Sequence, residues 1–242
     1  MRNSRFSGIF GWLITGMLVS GGLTGCTKAV STATSTSTEY TYVSVMDLAP
    51  YSPTAQVYLN GTAATSSITP GNYSTSYAPL TPGAYDIQFK ASATDSILAE
   101  IPSSLYDSMS FYTLILYNTS GSSVNNAIKI VDDFSTLATG SANYRFFNMC
   151  PDYPSVDLYF NNTAGQLART TADNVSNTAF NAFQIITPAV YTIQAKKAGT
   201  DSTVATLNEL SLSAGNAYTI FLSGSSSNTT DPVSLNVVQA SY

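Results

Sequence analysis

The sequence predicts an all-β protein: two tandem antiparallel immunoglobulin-like β-sandwich repeats that follow a signal peptide and a disordered tether. Three observations predict this fold. Ordered blocks recur in the two halves of the chain, apolar and polar side chains alternate, and turn residues separate short strand-like segments. The predicted boundaries are 1–25 for the signal peptide, 26–41 for the tether, 42–133 for the first repeat, 134–142 for the linker and 143–242 for the second repeat.

The first residues have the features of a lipoprotein signal. Arg2 and Arg5 precede an apolar run over residues 9–19, which is shorter than the roughly 20 apolar residues of a membrane-spanning helix. The segment ends in Leu-Thr-Gly-Cys at residues 23–26, which resembles the bacterial lipobox. The resemblance implies cleavage before Cys26 and lipidation of its thiol. An ordinary signal peptide with a chance cysteine is the alternative.

The segment after Cys26 is dominated by serine and threonine, as in residues 31–38. It offers little apolar surface to bury and has no periodicity. Such a composition predicts a disordered tether over 26–41, which would separate the folded repeats from the membrane.

The remaining chain contains the same unit twice. Four blocks match in order and nearly in spacing: 43–50 with 144–151, 53–62 with 154–163, 81–90 with 187–196, and 112–116 with 218–222. Matches in this number and order indicate a tandem duplication. The linker between the copies, 134–142, is rich in small residues.

Each copy is predicted to consist of β-strands. Apolar and polar residues alternate in 85–90 and again in 191–196, which is typical of strands with one buried face. The mostly apolar runs 109–117 and 216–223 suit central strands. Turn signals such as Asn60-Gly61 separate the strands, about seven to a copy, and no helix is predicted outside the signal. A single large barrel is less favoured because the repeat is itself domain-sized.

Specific motifs recur inside the aligned blocks. The first copy has Ala49-Pro50 followed by Val57-Tyr58-Leu59-Asn60-Gly61, and the second has Cys150-Pro151 followed by Leu158-Tyr159-Phe160-Asn161. A later Pro-Gly-x-Tyr motif occupies residues 82–85. These motifs resemble a bacterial repeat family, domain of unknown function 4397. The second copy departs from the pattern with Ala189 in place of glycine, and Gln56 stands where the family prefers aspartate.

The resemblance implies β-sandwich repeats in an exported protein, often a lipoprotein, but it implies no reaction. Composition and tether also resemble outer-membrane lipoproteins of the Bacteroidetes type. We therefore expect a cell-envelope protein that is lipid-anchored at the outer membrane. The anchor could lie on either the periplasmic or the surface face of that membrane.

Composition excludes several classes of protein. The 242 residues include no histidine, so Ser-His-Asp catalysis and histidine-ligated metal sites are excluded. Removal of the signal leaves 7 basic residues against 14 acidic ones, which argues against binding of nucleic acid. No dinucleotide fingerprint or phosphate loop is present. We expect no cofactor.

The remaining reactive groups have structural interpretations. If Cys26 is lipidated, Cys150 is the one free thiol that remains. Cys150 aligns with Ala49 and is expected to be buried. Asp132-Asp133, and Asp152 with Asp157, could supply oxygen ligands for calcium, but no loop has the dense acidic pattern that favours a calcium site. A glycosidase needs two carboxylates fixed across a cleft, which small sandwiches seldom supply, and the acids here lie mostly in predicted turns. An enzyme is therefore not favoured.

Unpaired aromatic residues are the candidate ligand-binding residues. They lie in or near predicted loops, beside small polar residues that suit adaptable recognition: Tyr51, Tyr73, Tyr77, Tyr106 and Tyr153. The alternative is that these rings cover the ends of each sandwich.

These features favour a non-catalytic, lipid-anchored binding or adhesion module at a membrane surface, with the membrane and a glycan or envelope protein as partners. One alternative is a periplasm-facing structural component that binds another envelope protein. A carboxylate-dependent glycan hydrolase is less favoured.

Overall fold

The computed structural model describes residues 39–241, which form four four-stranded sheets. The predicted signal peptide, Cys26 and the predicted tether up to residue 38 lie outside the described residues. Within 39–241, no helix has the length and apolar character needed to cross a membrane.

The strands of the first repeat follow one another with short connections. They are β1 (Thr41–Leu48), β2 (Ala55–Leu59), β3 (Thr62–Ala63), β4 (Ala78–Leu80), β5 (Gly83–Ala91), β6 (Ile97–Tyr106), β7 (Phe111–Asn118) and β8 (Asn125–Val131). They form two sheets with the strand orders β4-β1-β7-β8 and β3-β2-β5-β6.

The second repeat has the same arrangement. Its strands are β9 (Ala142–Asn148), β10 (Val156–Phe160), β11 (Thr163–Arg169), β12 (Gln184–Ile186), β13 (Ala189–Lys197), β14 (Thr203–Leu212), β15 (Ala217–Ser223) and β16 (Ser234–Gln239). The sheet orders are β12-β9-β15-β16 and β11-β10-β13-β14. The prediction of two tandem β-sandwich repeats is confirmed, with eight strands in each repeat instead of about seven.

One strand pair in each repeat runs parallel, a difference from the all-antiparallel prediction. β1 pairs with β7, and β9 pairs with β15, in parallel register. Parallel neighbours need a long crossover connection. Here the intervening strands supply it, because the chain passes through the opposite sheet before it returns.

A short helix interrupts the second repeat, so the prediction of no helix outside the signal was wrong. Helix α1 (Thr171–Ser176) is capped by Thr170, whose side chain accepts a hydrogen bond from the Asp173 amide. The Asp173 side chain in turn accepts one from the Thr170 amide. This reciprocal capping satisfies two amides that a helix start leaves unpaired. A 3-10 turn over Thr178–Asn181 follows.

Both repeats use the same local devices. Asn60 and Gly61 have φ values of 48° and 77°, and Asn161 and Asn162 have 47° and 65°, which fits the two-residue turn of a tight hairpin. The turn signal at Asn60-Gly61 is therefore confirmed.

Each sandwich contains one of two equivalent tyrosines whose hydroxyl group bonds the backbone at a strand end. The Tyr85 hydroxyl donates to the Thr81 carbonyl at 2.8 Å, and the Tyr191 hydroxyl donates to the Thr187 carbonyl at 2.8 Å. Each bond ties a strand back to the residues just before it, as a corner tyrosine does.

Each sandwich has its own apolar core. Ile87 and Phe89 of β5 are fully buried against the opposite sheet, and Ile193 and Ala195 occupy the equivalent positions on β13. The alternating strands predicted from the sequence therefore point their apolar side chains inward.

A third apolar core joins the two repeats. Its buried members come from β1, β7 and β8 of the first repeat and from β9, β15 and the residue after β9 of the second: Met46, Leu48, Ile115, Tyr117, Ile130, Phe147, Met149 and Phe221. The sheets that contain β1 and β9 are thus covered on both faces, which explains why their central strands read as continuous apolar runs. We call this cluster the junction core.

A buried ion pair lies beside the junction core. Arg145 Nη2 is 2.6 Å from Asp132 Oδ1, and the two side chains are 2% and 0% exposed. Thr113 Oγ1 and the Tyr77 hydroxyl donate to Asp132 Oδ2 at 2.6 and 2.8 Å, and Arg145 Nε donates to Thr219 Oγ1 at 2.8 Å. Burial raises the pKa of Tyr77, and the Asp132 carboxylate adds to the shift, so the phenol stays a donor.

Replacement of Asp132 by asparagine should destabilise the protein. The Arg145 charge would remain buried without its partner, which costs about 3–5 kcal/mol. We expect a loss of that size in the free energy of unfolding, measured with urea. A double variant, Asp132→Leu with Arg145→Met, should recover most of it.

The exposed pair Lys196–Asp201 provides the matched control, since Asp201 is fully exposed and its carboxylate is 3.6 Å from the ammonium. Asp201→Asn should leave the free energy of unfolding nearly unchanged, because solvent screens an exposed ion pair. An equal effect of the two asparagine variants would contradict the structural role of the buried pair.

Candidate functional site

The five candidate tyrosines do not share one surface. Tyr106 ends β6 and is 0% exposed in the first core, where its ring meets Tyr112 at 4.8 Å between centroids and lies 4.4 Å from Lys129 Nζ. The alternation along β6 turns Tyr106 inward and its neighbour Leu105 outward. Its ring is therefore closed to a ligand in this structure.

Tyr73 and Tyr77 are half-buried and hold the connection between β3 and β4 onto the junction. The Tyr73 ring packs edge-on against Phe221 at 5.1 Å. The Tyr77 ring packs edge-on against Phe111 and Phe134 at 5.2 and 5.9 Å. Both contacts are structural.

Tyr51 and Tyr153 remain near the surface. Tyr51 is 38% exposed, and its hydroxyl lies 2.8 Å from Ser225 Oγ and donates to Asp152 Oδ1 at 3.1 Å. Tyr51 of the first repeat is thus bound to two loops of the second. Tyr153 packs against the second core, with Lys197 Nζ 5.7 Å from its ring centroid.

Loops from both repeats meet at the end where β1, β7, β9 and β15 finish. These junction loops are residues 49–54, 119–124, 149–155 and 224–233. The Gly121 amide donates to the Pro151 carbonyl at 2.8 Å, and Asn228 Nδ2 donates to the Pro50 carbonyl at 2.5 Å. These bonds join the loops of the two repeats into one surface.

A groove of about 430 Å³ opens beside these loops. Its walls come from the β1–β2 loop, the β3–β4 connection and the β15–β16 loop: Pro50, Ser52, Thr54, Thr69, Pro70, Asn72, Asn228, Thr230 and Asp231. We call it the junction groove. Hydroxyl and amide groups dominate its lining, and Asp231 is its one acidic side chain.

Local hydrogen bonds order the loop that carries Asp231. Asn228 Oδ1 accepts from the Thr230 and Asp231 amides at 2.9 and 3.2 Å, as an asparagine at the start of a turn commonly does. Gly71 has φ +81°, and a Cβ there would lie 2.7 Å from Asp231 Oδ1. Glycine is therefore required for the close approach of the Asp231 carboxylate.

A second carboxyl group is buried near Asp231. Asp47, at the end of β1, is 0% exposed, and its Oδ1 accepts from the Ala49 amide at 3.2 Å. Burial raises its pKa to about 7, and the Asp231 charge contributes to the shift. Burial also raises the pKa of Asp231.

The second repeat shows what Asp47 replaces. Its counterpart Asn148 is equally buried, and Asn148 Nδ2 donates to the Tyr153 and Arg169 carbonyls at 2.8 and 3.1 Å. Asp47 makes no such bonds: its Oδ2 is buried and has no hydrogen-bond partner among residues 39–241. Burial of this unpaired oxygen favours the neutral form of the carboxyl group.

The Asp47 carboxyl should make folding pH-dependent. Its pKa is about 7 in the folded chain against a usual 3.8, so between these values the unfolded chain ionises first and the folded state loses stability as pH rises. We expect the free energy of unfolding to fall by up to about 4 kcal/mol across this window. Urea unfolding at a series of pH values measures it.

Asp47→Asn should remove most of this slope, because the amide cannot ionise and matches Asn148. Asp231 would keep a residual slope of the same sign. Asp95→Asn, which changes an exposed carboxylate paired with Lys90, is the control and should leave the slope intact. A wild-type stability that stays flat from pH 4 to 7 would contradict the assignment.

The other acids and the thiol have local partners. Asp157 accepts from the Ala168 and Gly199 amides at 2.7 and 2.8 Å. Asp152 accepts from the Ser226 amide at 2.7 Å. The prediction that Cys150 is buried is confirmed, and burial raises the pKa of its thiol to about 11. In residues 39–241, no group of three or more acidic or cysteine side chains could hold a metal ion.

Sequence reasoning missed three residues that organise the junction: Arg145, Asn228 and Asp231. Arg145 left a detectable signal, because it is a lone charge inside an apolar strand. Asn228 and Asp231 lie in a polar loop whose composition is typical of any surface turn.

The two repeats match a known domain family. No curated protein matches the sequence of the chain. A family model described as Domain of unknown function (DUF4397) matches residues 41–159 and 142–241, which together span both sandwiches. The chain belongs to the DUF4397 family and carries two copies of its domain.

Proposed function

We propose that this chain is a non-catalytic, lipid-anchored protein of the bacterial cell envelope that binds a ligand at the membrane surface. The observation that carries the proposal is the junction groove, because loops of both repeats form its walls. A ligand in this groove would contact both domains at once. The lining of hydroxyl and amide groups suits a ligand that is neutral and rich in hydroxyl groups.

The way the repeats are joined supports a binding role. The junction core, the Asp132–Arg145 pair and the junction loops link the two sandwiches at several points. A groove between firmly joined bodies keeps its shape before the ligand arrives, which lowers the entropic cost of binding.

The positions of the acidic groups support a non-catalytic role. Asp132 is neutralised by Arg145, Asp157 accepts two backbone amides, and Asp173 caps α1. Each of these carboxylates is committed to a structural partner. The junction groove is lined by one acidic side chain, Asp231, whereas a hydrolase directs two carboxyl groups at its substrate across a cleft.

The lipid anchor rests on the sequence around Cys26. Each buried acyl CH₂ contributes about 0.8 kcal/mol, and stable attachment needs more than one chain or a second membrane signal. The Ser/Thr-rich segment that precedes β1 would give the sandwiches reach from the membrane.

Protease treatment of intact cells tests the anchor and the exposed face together. We expect the wild-type chain to fractionate with membranes and to be digested on unbroken cells. A Cys26→Ser variant should be released from the membrane. A variant that stays membrane-bound would contradict lipid anchoring.

Protection of the wild-type chain until the envelope is opened would contradict surface binding. That result would favour the alternative role, a periplasm-facing component that binds another envelope protein. Chemical crosslinking in the intact envelope would then identify the partner.

Ligand binding at the junction groove is tested by obstruction. Thr54→Arg places a long side chain in the groove and should weaken adherence of the purified chain to cell surfaces. Thr94→Arg, on an exposed turn of the first repeat, is the matched control. Equal adherence of the two variants would exclude the groove as the binding site.

A further inference from the structure

A separate cleft lies at the open edge of the second sandwich. β11 and β12 are the edge strands of the two sheets of this repeat, and no ladder joins them. Between them opens a cleft of about 550 Å³. Its lining includes the rings of Tyr144, Phe160 and Tyr191.

The first repeat has the same cleft in a reduced form. It measures about 150 Å³ and is lined almost entirely by aliphatic side chains, among them Val43, Leu59, Ala64 and Ala78. The second cleft therefore differs from the first both in volume and in the residues that line it.

The aligned positions differ in one consistent direction. Val43 pairs with Ala78 across β1 and β4, and the equivalent pair across β9 and β12 is Tyr144 with Gln184. Likewise Leu59 corresponds to Phe160, and Ala64 to Gly165. Aliphatic side chains in the first copy are thus replaced by two aromatic rings, an amide and a glycine.

Gly165 is coupled to the Phe160 ring. A Cβ at residue 165 would lie 2.6 Å from Phe160 Cε2, a distance that non-bonded carbon atoms do not tolerate. Ala64 faces the smaller Leu59 and meets no such restriction. The glycine therefore lets an aromatic ring occupy the floor of the second cleft.

The three rings pack against one another beneath the cleft. Tyr144 and Phe160 meet edge-to-face with centroids 4.8 Å apart, and Phe160 and Tyr191 do so at 5.5 Å. Contacts of this kind fix ring orientation. Tyr144 and Phe160 are nearly buried, whereas Tyr191 is partly exposed.

Polar groups stand at the mouth of the cleft. The Tyr144 hydroxyl donates to Gln184 Oε1 at 3.2 Å, and within residues 39–241 Gln184 Nε2 makes no hydrogen bond of its own. Asn161 and Thr163 are exposed at the opposite rim. Donors and acceptors therefore converge above the aromatic surface.

The charge of the lining narrows the class of ligand. No residue that lines the cleft is acidic or basic, so a charged ligand would find no partner. A purely apolar ligand would strip water from the exposed Gln184 amide without replacing its hydrogen bonds. A ligand with one apolar face and several hydroxyl groups meets both requirements.

We propose that the cleft between β11 and β12 binds one neutral sugar ring of a glycan, with the partly exposed Tyr191 ring against its C–H face, the buried Phe160 ring packed behind Tyr191, and the Gln184 amide on its hydroxyl groups. The inference rests on the proposed binding function, but it concerns a site distinct from the junction groove. The first repeat, with its narrow aliphatic cleft, does not take part.

The test is calorimetric titration of the purified full chain with cellohexaose, xylohexaose and mannohexaose. At least one of these neutral glycans should bind. Gln184→Ala removes the polar contact and should weaken that binding about fivefold or more, as expected for the loss of one hydrogen bond. Gly165→Ala should also weaken it, because the added methyl group forces the Phe160 ring to move.

Gln88→Ala is the matched control, since Gln88 is a side-chain amide on the first repeat that bonds Glu100; it should leave binding unchanged. Thermal unfolding of each variant confirms that it is folded. Glycan binding that both cleft variants retain would overturn the cleft assignment and leave the proposed binding function standing. Binding of none of the three glycans would overturn the sugar inference, while adherence of Thr54→Arg tests the groove separately.

Discussion

The two repeats need each other because their facing sheets are apolar on both sides. In a single sandwich, one sheet face packs on the core and the other meets water, which gives clean alternation along its strands. β7 and β15 instead have buried side chains on both faces. Ile115 and Phe221 point away from their own sandwiches and into the junction core. Each copy therefore buries the apolar sheet face that the other copy would otherwise expose to water.

Polar contacts also fix how the two repeats align against each other. Hydrophobic surfaces of similar shape can pack at several offsets, whereas the Asp132–Arg145 pair satisfies its charges in one arrangement. Arg145 also lies 4.6 and 4.8 Å from the ring centroids of Phe183 and Phe147, so its guanidinium is held between rings. Such a buried pair adds little net stability compared with an apolar substitute, because the cost of removing both charges from water offsets most of their attraction.

The sequence was sufficient for the features that follow from periodicity and repetition. The alternation in 85–90 and 191–196 located two strands, and the aligned blocks revealed both sandwiches. The apolar runs in 109–117 and 216–223 indicated central strands, but not that the second buried face would belong to the other copy. Loop position alone was a poor guide to ligand contact, because Tyr106 and Tyr77 are enclosed by partners distant in sequence. The short helix was missed because its signal, Thr170 with Asp173, is local and weak.

The junction core has a consequence for the linker. Residues 134–142 join the repeats covalently, and Phe134 of this segment packs against Phe111 of the first repeat and Phe183 of the second. The buried side chains of the junction core, however, belong to other segments. Ser135 and Thr136 are exposed, so a protease could cut between the copies without removing a residue of the junction core. The two halves would then persist as a noncovalent heterodimer of fragments. A chain with only one repeat would expose the apolar face that the junction core otherwise buries. That face would drive such a chain to associate with a second molecule of the same kind.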